Sequence, residues 1–96
     1  MMRISASEQV QLWLQSLPPD TKRLVRRDLK ALAGGRRATI DTLPLRRELE
    51  GFHRLRVGDH RIIYHLEPGQ IIQLDYADVR DVVYDTYRRL RALRED

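Results

Sequence analysis

The sequence contains no cysteine. That absence excludes disulfide staples, thiolate zinc sites and a cysteine nucleophile together. No apolar run approaches the roughly 20 residues that cross a bilayer, so no membrane partner is expected. The opening stretch, MMRISASEQ, has no apolar segment of the signal-peptide type, and an intracellular, cytoplasmic protein is the expectation. Internal repeats and low-complexity tracts are missing too. Lysine is scarce: two residues against sixteen arginines.

What remains is 96 residues with 42% hydrophobic and 33% charged side chains, the composition of one folded domain spanning 1–96. The net charge is +4, unevenly spread. Residues 1–74 hold 13 basic and 8 acidic side chains, whereas residues 75–96 hold 5 and 6. The positive surface therefore belongs to the body of the domain. Guanidinium forks suit phosphate oxygens and stack on bases, although a GC-rich genome would also exchange Lys for Arg throughout.

A weak strand at Met2–Ile4 precedes Ser5-Ala-Ser-Glu8, which fits a capping box with Ser5 as the helix cap. Val10, Trp13, Leu14 and Leu17 follow at helical spacing. Pro18-Pro-Asp20 stops that helix, and Asp20 suits the cap of a second one burying Leu24, Val25, Leu29 and Leu32 before Gly34-Gly35. The two form an antiparallel helical hairpin whose outer face carries Lys22, Arg23, Arg26, Arg27 and Lys30. Residues 34–48 show no clean period; Pro44 opposes a helix there, and Leu43, Leu45 and Leu49 should tie the segment to the core. A connection of this length is characteristic of functional edges.

HRLRVGDHRIIYHL, residues 53–66, reads as two strands around a Gly58-Asp59 turn. That register sets Val57 against His60 and Arg56 against Arg61. Leu55, Val57, His60, Ile62 and Tyr64 then face the core, while Arg54, Arg56, Arg61, Ile63 and His65 share the other face. Pro68-Gly69 suits a type II turn into a third strand, IIQLDY. From Asp78 the pattern is helical, with Val79, Val83, Thr86, Leu90 and Leu93 as its seam. The whole reads as an α+β domain with the helices against one face of an antiparallel sheet.

Like charges directly opposite in a sheet destabilise it by about 0.2–1 kcal/mol per pair. Either Glu48, Glu50 or Asp75 threads between the arginines, or the missing anion is a substrate phosphate. Arg80 and Tyr84 stand four apart on the expected last helix and share a face. A guanidinium there favours the phenolate and makes Tyr84 a candidate general base, unless the pair is an ordinary Arg–aromatic contact. The Asp78/Asp81/Asp85 spacing suggests solvated or Arg-paired carboxylates rather than metal ligands, and neither a metal nor an organic cofactor is expected.

LEGFHRLRVGDHRIIY followed by VRDVVY resembles the RelE/ParE superfamily of bacterial toxin–antitoxin toxins, over Leu49 to Tyr84. PLRRELEG at Pro44 to Gly51 is similar as well. The resemblance implies a small RelE-like fold and, on the RelE branch, a metal-independent endoribonuclease. Such an enzyme cuts mRNA on the ribosome by attack of the ribose 2′-OH, and so inhibits translation. It implies that Arg54 and Arg56 match the basic strand residues, Arg61 the hairpin arginine, and Arg80 and Tyr84 the C-terminal motif. His65 joins the expected RNA-contacting face. Tyr84 would contact the base or act as general base, while the arginines neutralise phosphate charge; an arginine hardly deprotonates, so it is a poor acid. The expected partners are a cognate antitoxin and mRNA on the ribosome. Two other roles share the fold: a ParE-like inhibitor of DNA gyrase, and a member without activity that only binds antitoxin. Val79 stands where His is common in the family, and His60 replaces the usual hairpin tyrosine.

Overall fold

The computed structural model describes residues 1–79 and 82–95. Strand β1 (Arg3–Ala6) leads into helices α1 (Glu8–Ser16) and α2 (Pro19–Ala33), then a 3-10 turn at Arg37–Thr39. Strand β2 (Asp41–Pro44) and a second 3-10 turn (Arg47–Leu49) follow. Then come β3 (His53–Val57), β4 (His60–Glu67), β5 (Ile71–Val79) and α3 (Val82–Glu95). The sheet order is β1-β5-β4-β3-β2. Strands β2 to β5 run antiparallel to their neighbours, and β1 lies parallel to β5. The sheet is therefore mixed, and the chain leaving β1 crosses over α1 and α2 to reach β2 at the opposite edge.

The hairpin register is the expected one: Val57 pairs with His60 and Arg56 with Arg61. Gly58, at φ 61°, takes the positive φ that the first position of such a tight turn demands. Alternation then sends Leu55, Val57, Ile62 and Tyr64 into the core beneath α1 and α2, with Val10, Val25, Leu29 and Leu32. Leu24 falls off that stripe and is exposed.

Helix α3 does not join the other helices. It covers the opposite face, where Val83 and Tyr87, four residues apart, pack on Ile63 and Leu49 with Tyr76 and Phe52 around them. The helix-on-one-face expectation fails because Ile63 is wholly buried on the arginine side, and an apolar side chain there needs its own cover. The helix also begins later than expected, since β5 keeps its ladder with β4 to Val79. Val79 and Leu93 are consequently exposed, and Tyr87 takes their place in the seam.

Caps shift for similar reasons. Ser5 is held in β1, so Ser7 caps α1, its Oγ accepting from the amide of Val10 at 3.2 Å. Helix α2 starts with Pro19 in its first turn, and Asp20 pairs instead with Arg23. Gln9 continues the line of β1: its amide accepts from Ala77 N at 2.8 Å and donates to Ala77 O at 2.6 Å, doing a strand's work with a side chain. The unassigned segment contains β2, an edge strand ended by Pro44, where a missing donor is tolerated. Leu49 is buried as expected and Leu45 packs beside it, but Leu43 is half exposed.

Candidate nucleic-acid interface

The arginine-bearing face is organised by the sheet register. Asp41, Arg56, Arg61 and Asp78 form one row across four strands, with the two cations flanked by acids. The row does not close into ion pairs. Arg56 Nε and Arg61 Nη1 both donate to the Gly58 carbonyl, each at 3.1 Å, and Arg61 also reaches the His60 carbonyl at 3.3 Å. Two guanidiniums are thus gathered on a neutral oxygen, and among the described residues neither has a carboxylate within salt-bridge distance. Asp78 turns its Oδ1 to the amide of Val79 instead.

Arg54, one row back, is different. Its Nη2 pairs with Asp41 Oδ1 at 3.1 Å, and its side chain is only 12% exposed. The neutralising acid is therefore Asp41 rather than Glu48, Glu50 or Asp75, since β2 sets Asp41 diagonally next to Arg54. Arg54 lines an open cleft of about 680 Å³ between β2–β3, the second 3-10 turn and α3. Tyr84 stands on its α3 wall, and Arg46, Arg47 and Arg88 join Arg54 around it. Arg47 adopts a left-handed conformation, φ 59°, uncommon for a non-glycine residue. Glu48 and Asp85 also line the cleft, and Asp85 pairs with Arg88 at 3.3 Å. Arg56 and Arg61 stand outside the cleft lining, at the hairpin tip.

His65 has both ring nitrogens engaged. Nδ1 lies 2.6 Å from Asp75 Oδ2 and Nε2 lies 3.1 Å from Glu67 Oε1, while Phe52 packs edge-on to the ring. A β-bulge makes this possible. Ile63 pairs with Tyr76 but Tyr64 pairs with Leu74, which leaves Asp75 as the extra residue. Asp75 and Tyr76 consequently both serve the α3 side, one on His65 and Tyr87, the other stacked on Tyr87. Burial raises the Asp75 carboxyl above the ordinary carboxylate range, opposed by its bonds to His65 and Tyr87. His65 is thus held by two carboxylates, one of which, Asp75, also bonds Tyr87 of α3.

His53 belongs to the other face, stacked on Tyr64; burial, assisted by the Arg37 charge, holds its pKa below the usual histidine value. Arg80 lies outside the described residues. Arg46, Arg47 and Arg88 were missed by sequence reasoning, because only tertiary packing brings the 3-10 turn to α3. The tandem Arg46-Arg47 just before Leu49 was the available signal. Among the described residues, no group of three His, Cys, Asp or Glu side chains is arranged to hold a metal ion, and no helix is long and apolar enough to cross a membrane.

No family model and no curated protein matches this chain. Solved structures do. A RelE–RelB complex from the archaeon Pyrococcus horikoshii matches with 29% identity and a TM-score of 0.64, over 83% of this chain and 96% of that one. The toxin–antitoxin complex RelBE2 from Mycobacterium tuberculosis matches at 24% identity and TM-score 0.59, over 82% and 98%. The YoeB–YefM complex from Staphylococcus aureus matches at 19% and 0.65, over 83% and 98%. The last two speak for the fold alone.

Proposed function

We propose that this chain, whose fold and 29% identity to the P. horikoshii RelE–RelB structure support a place in the RelE-like toxin superfamily, is the toxin of a toxin–antitoxin pair that cleaves mRNA on the ribosome. The observation that carries this reading is the cleft lined by both Tyr84 and Arg54, together with Arg46, Arg47 and Arg88. Inside the cell its partner is an antitoxin, as for the P. horikoshii relative solved with RelB.

The chemistry follows from what such a cleft supplies. The ribose 2′-OH attacks the adjacent phosphorus; a bond forms from O2′, the bond to O5′ breaks, the leaving O5′ takes a proton from water, and a 2′,3′-cyclic phosphate and a 5′-hydroxyl result. Tyr84 takes the 2′ proton or stacks on the base. Arg54 neutralises the charge that grows on the equatorial phosphate oxygens, where preorganised cations act most strongly. Arg56 and Arg61, parked on the Gly58 carbonyl, exchange a neutral acceptor for a phosphate at small cost, because no ion pair has to be broken. Arg80 has its motif position to recommend it for the same role.

Induced expression followed by primer extension on translated messages tests the proposal. Codon-phased cuts that persist in EDTA and vanish in Tyr84→Phe are expected. Intact messages would overturn it. Gyrase-linked DNA breaks in their place would assign the chain to the gyrase-inhibiting branch, and the absence of both would leave an antitoxin-binding role.

A further inference from the structure

The outer face of α2 carries a second concentration of positive charge that the cleft chemistry does not use. A groove of about 560 Å³ is lined by Lys22, Arg23, Arg26, Arg27, Lys30 and Arg36, with Pro19 at one end. Two acids stand near it: Asp20 pairs with Arg23, and Asp28 with Arg27. Four cations are left in surplus, as many as the net charge of the whole chain. Lys22 donates to the Gln15 carbonyl at 3.5 Å.

The arrangement works against the helix. Lys22 and Arg26, Arg26 and Lys30, and Arg23 and Arg27 are like charges four residues apart, each pair costing about 0.2–0.5 kcal/mol. An ordinary solvated face would alternate signs. The groove also offers no aromatic or branched aliphatic side chain to its occupant: its walls are Lys and Arg side chains and one proline. A peptide held tightly needs buried aromatic or aliphatic anchors, whereas a phosphate backbone needs only regularly spaced donors. Successive charges at i and i+4 along α2 stand about 6 Å apart along its axis, a ladder suited to a run of phosphates.

We propose that this groove docks the phosphate backbone of a nucleic-acid duplex, on the side of the sheet opposite to α3. The site goes beyond the cleavage reading and stands without it, since it acts by charge alone. A duplex held there leaves the α3 cleft open for a separate single strand.

Fluorescence anisotropy on the full chain, with a short duplex RNA and the matching duplex DNA titrated over a range of salt, tests the site. Each phosphate contact adds about 0.9 to the slope of log affinity against log salt. The triple variant Lys22→Gln, Arg26→Gln, Lys30→Gln is expected to lose about 2 to 3 from that slope. Its thermal midpoint should hold or rise as the repulsion is relieved. Equal loss on both duplexes assigns plain backbone binding; loss on RNA alone assigns a duplex RNA. An unchanged slope on both, or binding of poly-glutamate but of neither duplex, would overturn the proposal. The readout is duplex binding rather than message cleavage, so it fails or succeeds independently of the activity in the cleft.

Discussion

The two faces of the sheet are built from different materials. Beneath α1 and α2 the contacts are mainly aliphatic, with Val25, Leu55, Ile62 and Ile72 wholly buried and interlocked around one buried tyrosine, Tyr64. Beneath α3 a small aliphatic centre, Ile63 with Leu49 and Val83, is surrounded by Tyr76, Tyr84, Tyr87, Phe52 and a histidine–carboxylate chain. Arginines crowd its open margin. The first face is suited to stability, because close-packed aliphatic surface contributes without needing partners. The second holds polar groups in place at the cost of desolvating them, which is the usual condition of a working site.

The difference predicts a division of mutational effects. Tyr84→Phe should lower message cleavage by about 10²–10⁴-fold, the range for losing a positioned proton-transfer group. Its unfolding midpoint should fall far less than that of a core truncation, because the ring's apolar body stays. Primer extension and thermal melts together check both halves. Leu32→Ala, on the aliphatic face, should do the reverse: about 2–5 kcal/mol of lost stability by denaturant titration, with residual folded protein cleaving at normal specific activity.

The faces should also respond oppositely to pH. His53, beneath α2, is held below its ordinary pKa, so the unfolded chain binds more protons around pH 6. Stability from this group is present above about pH 6.5 and falls as pH drops through the lowered value. His53→Gln should flatten that fall. Asp75, beneath α3, is raised, so the folded chain binds more protons above about pH 4. Its contribution is present in acid and is lost as pH rises through the raised value. Asp75→Asn should remove that loss, seen as a change in the slope of stability against pH in paired melts.

The smallest effect expected is at the edge where β1 stops. Gln9→Ala removes both bonds to Ala77 and leaves that strand's donor and acceptor to water, at about 1–2 kcal/mol. Cleavage should be unaffected.

How much of this was legible in the sequence depended on the range of the determining contact. The β3–β4 hairpin and its faces were readable because a two-residue turn fixes register locally, and alternation then assigns every side chain. The caps at Ser5 and Asp20 were misplaced because β1 pairing and Pro19 outweigh local side-chain preference. Strand β2 was invisible: four residues, an edge position and a proline give no alternation to detect. With β2 missing, Asp41 was not recognised as the partner of Arg54, and Arg46, Arg47 and Arg88 could not be gathered to Tyr84. The β5 bulge was equally hidden, yet it sets Asp75 between His65 and Tyr87 of α3. The motif itself was legible through its arginines, since a cross-strand Arg56–Arg61 pair has no reason to exist in a quiescent sheet.

The chemistry assigned to the α3 cleft leaves a distinctive product, and the end groups of the cut message are its most direct test. Fragments generated in EDTA should carry a 2′,3′-cyclic phosphate, or the monophosphate to which it opens, with a 5′-hydroxyl on the downstream piece. A 3′-hydroxyl facing a 5′-phosphate would mean that water, not the ribose, attacked phosphorus, and the role given to Tyr84 and the arginines around it would be contradicted.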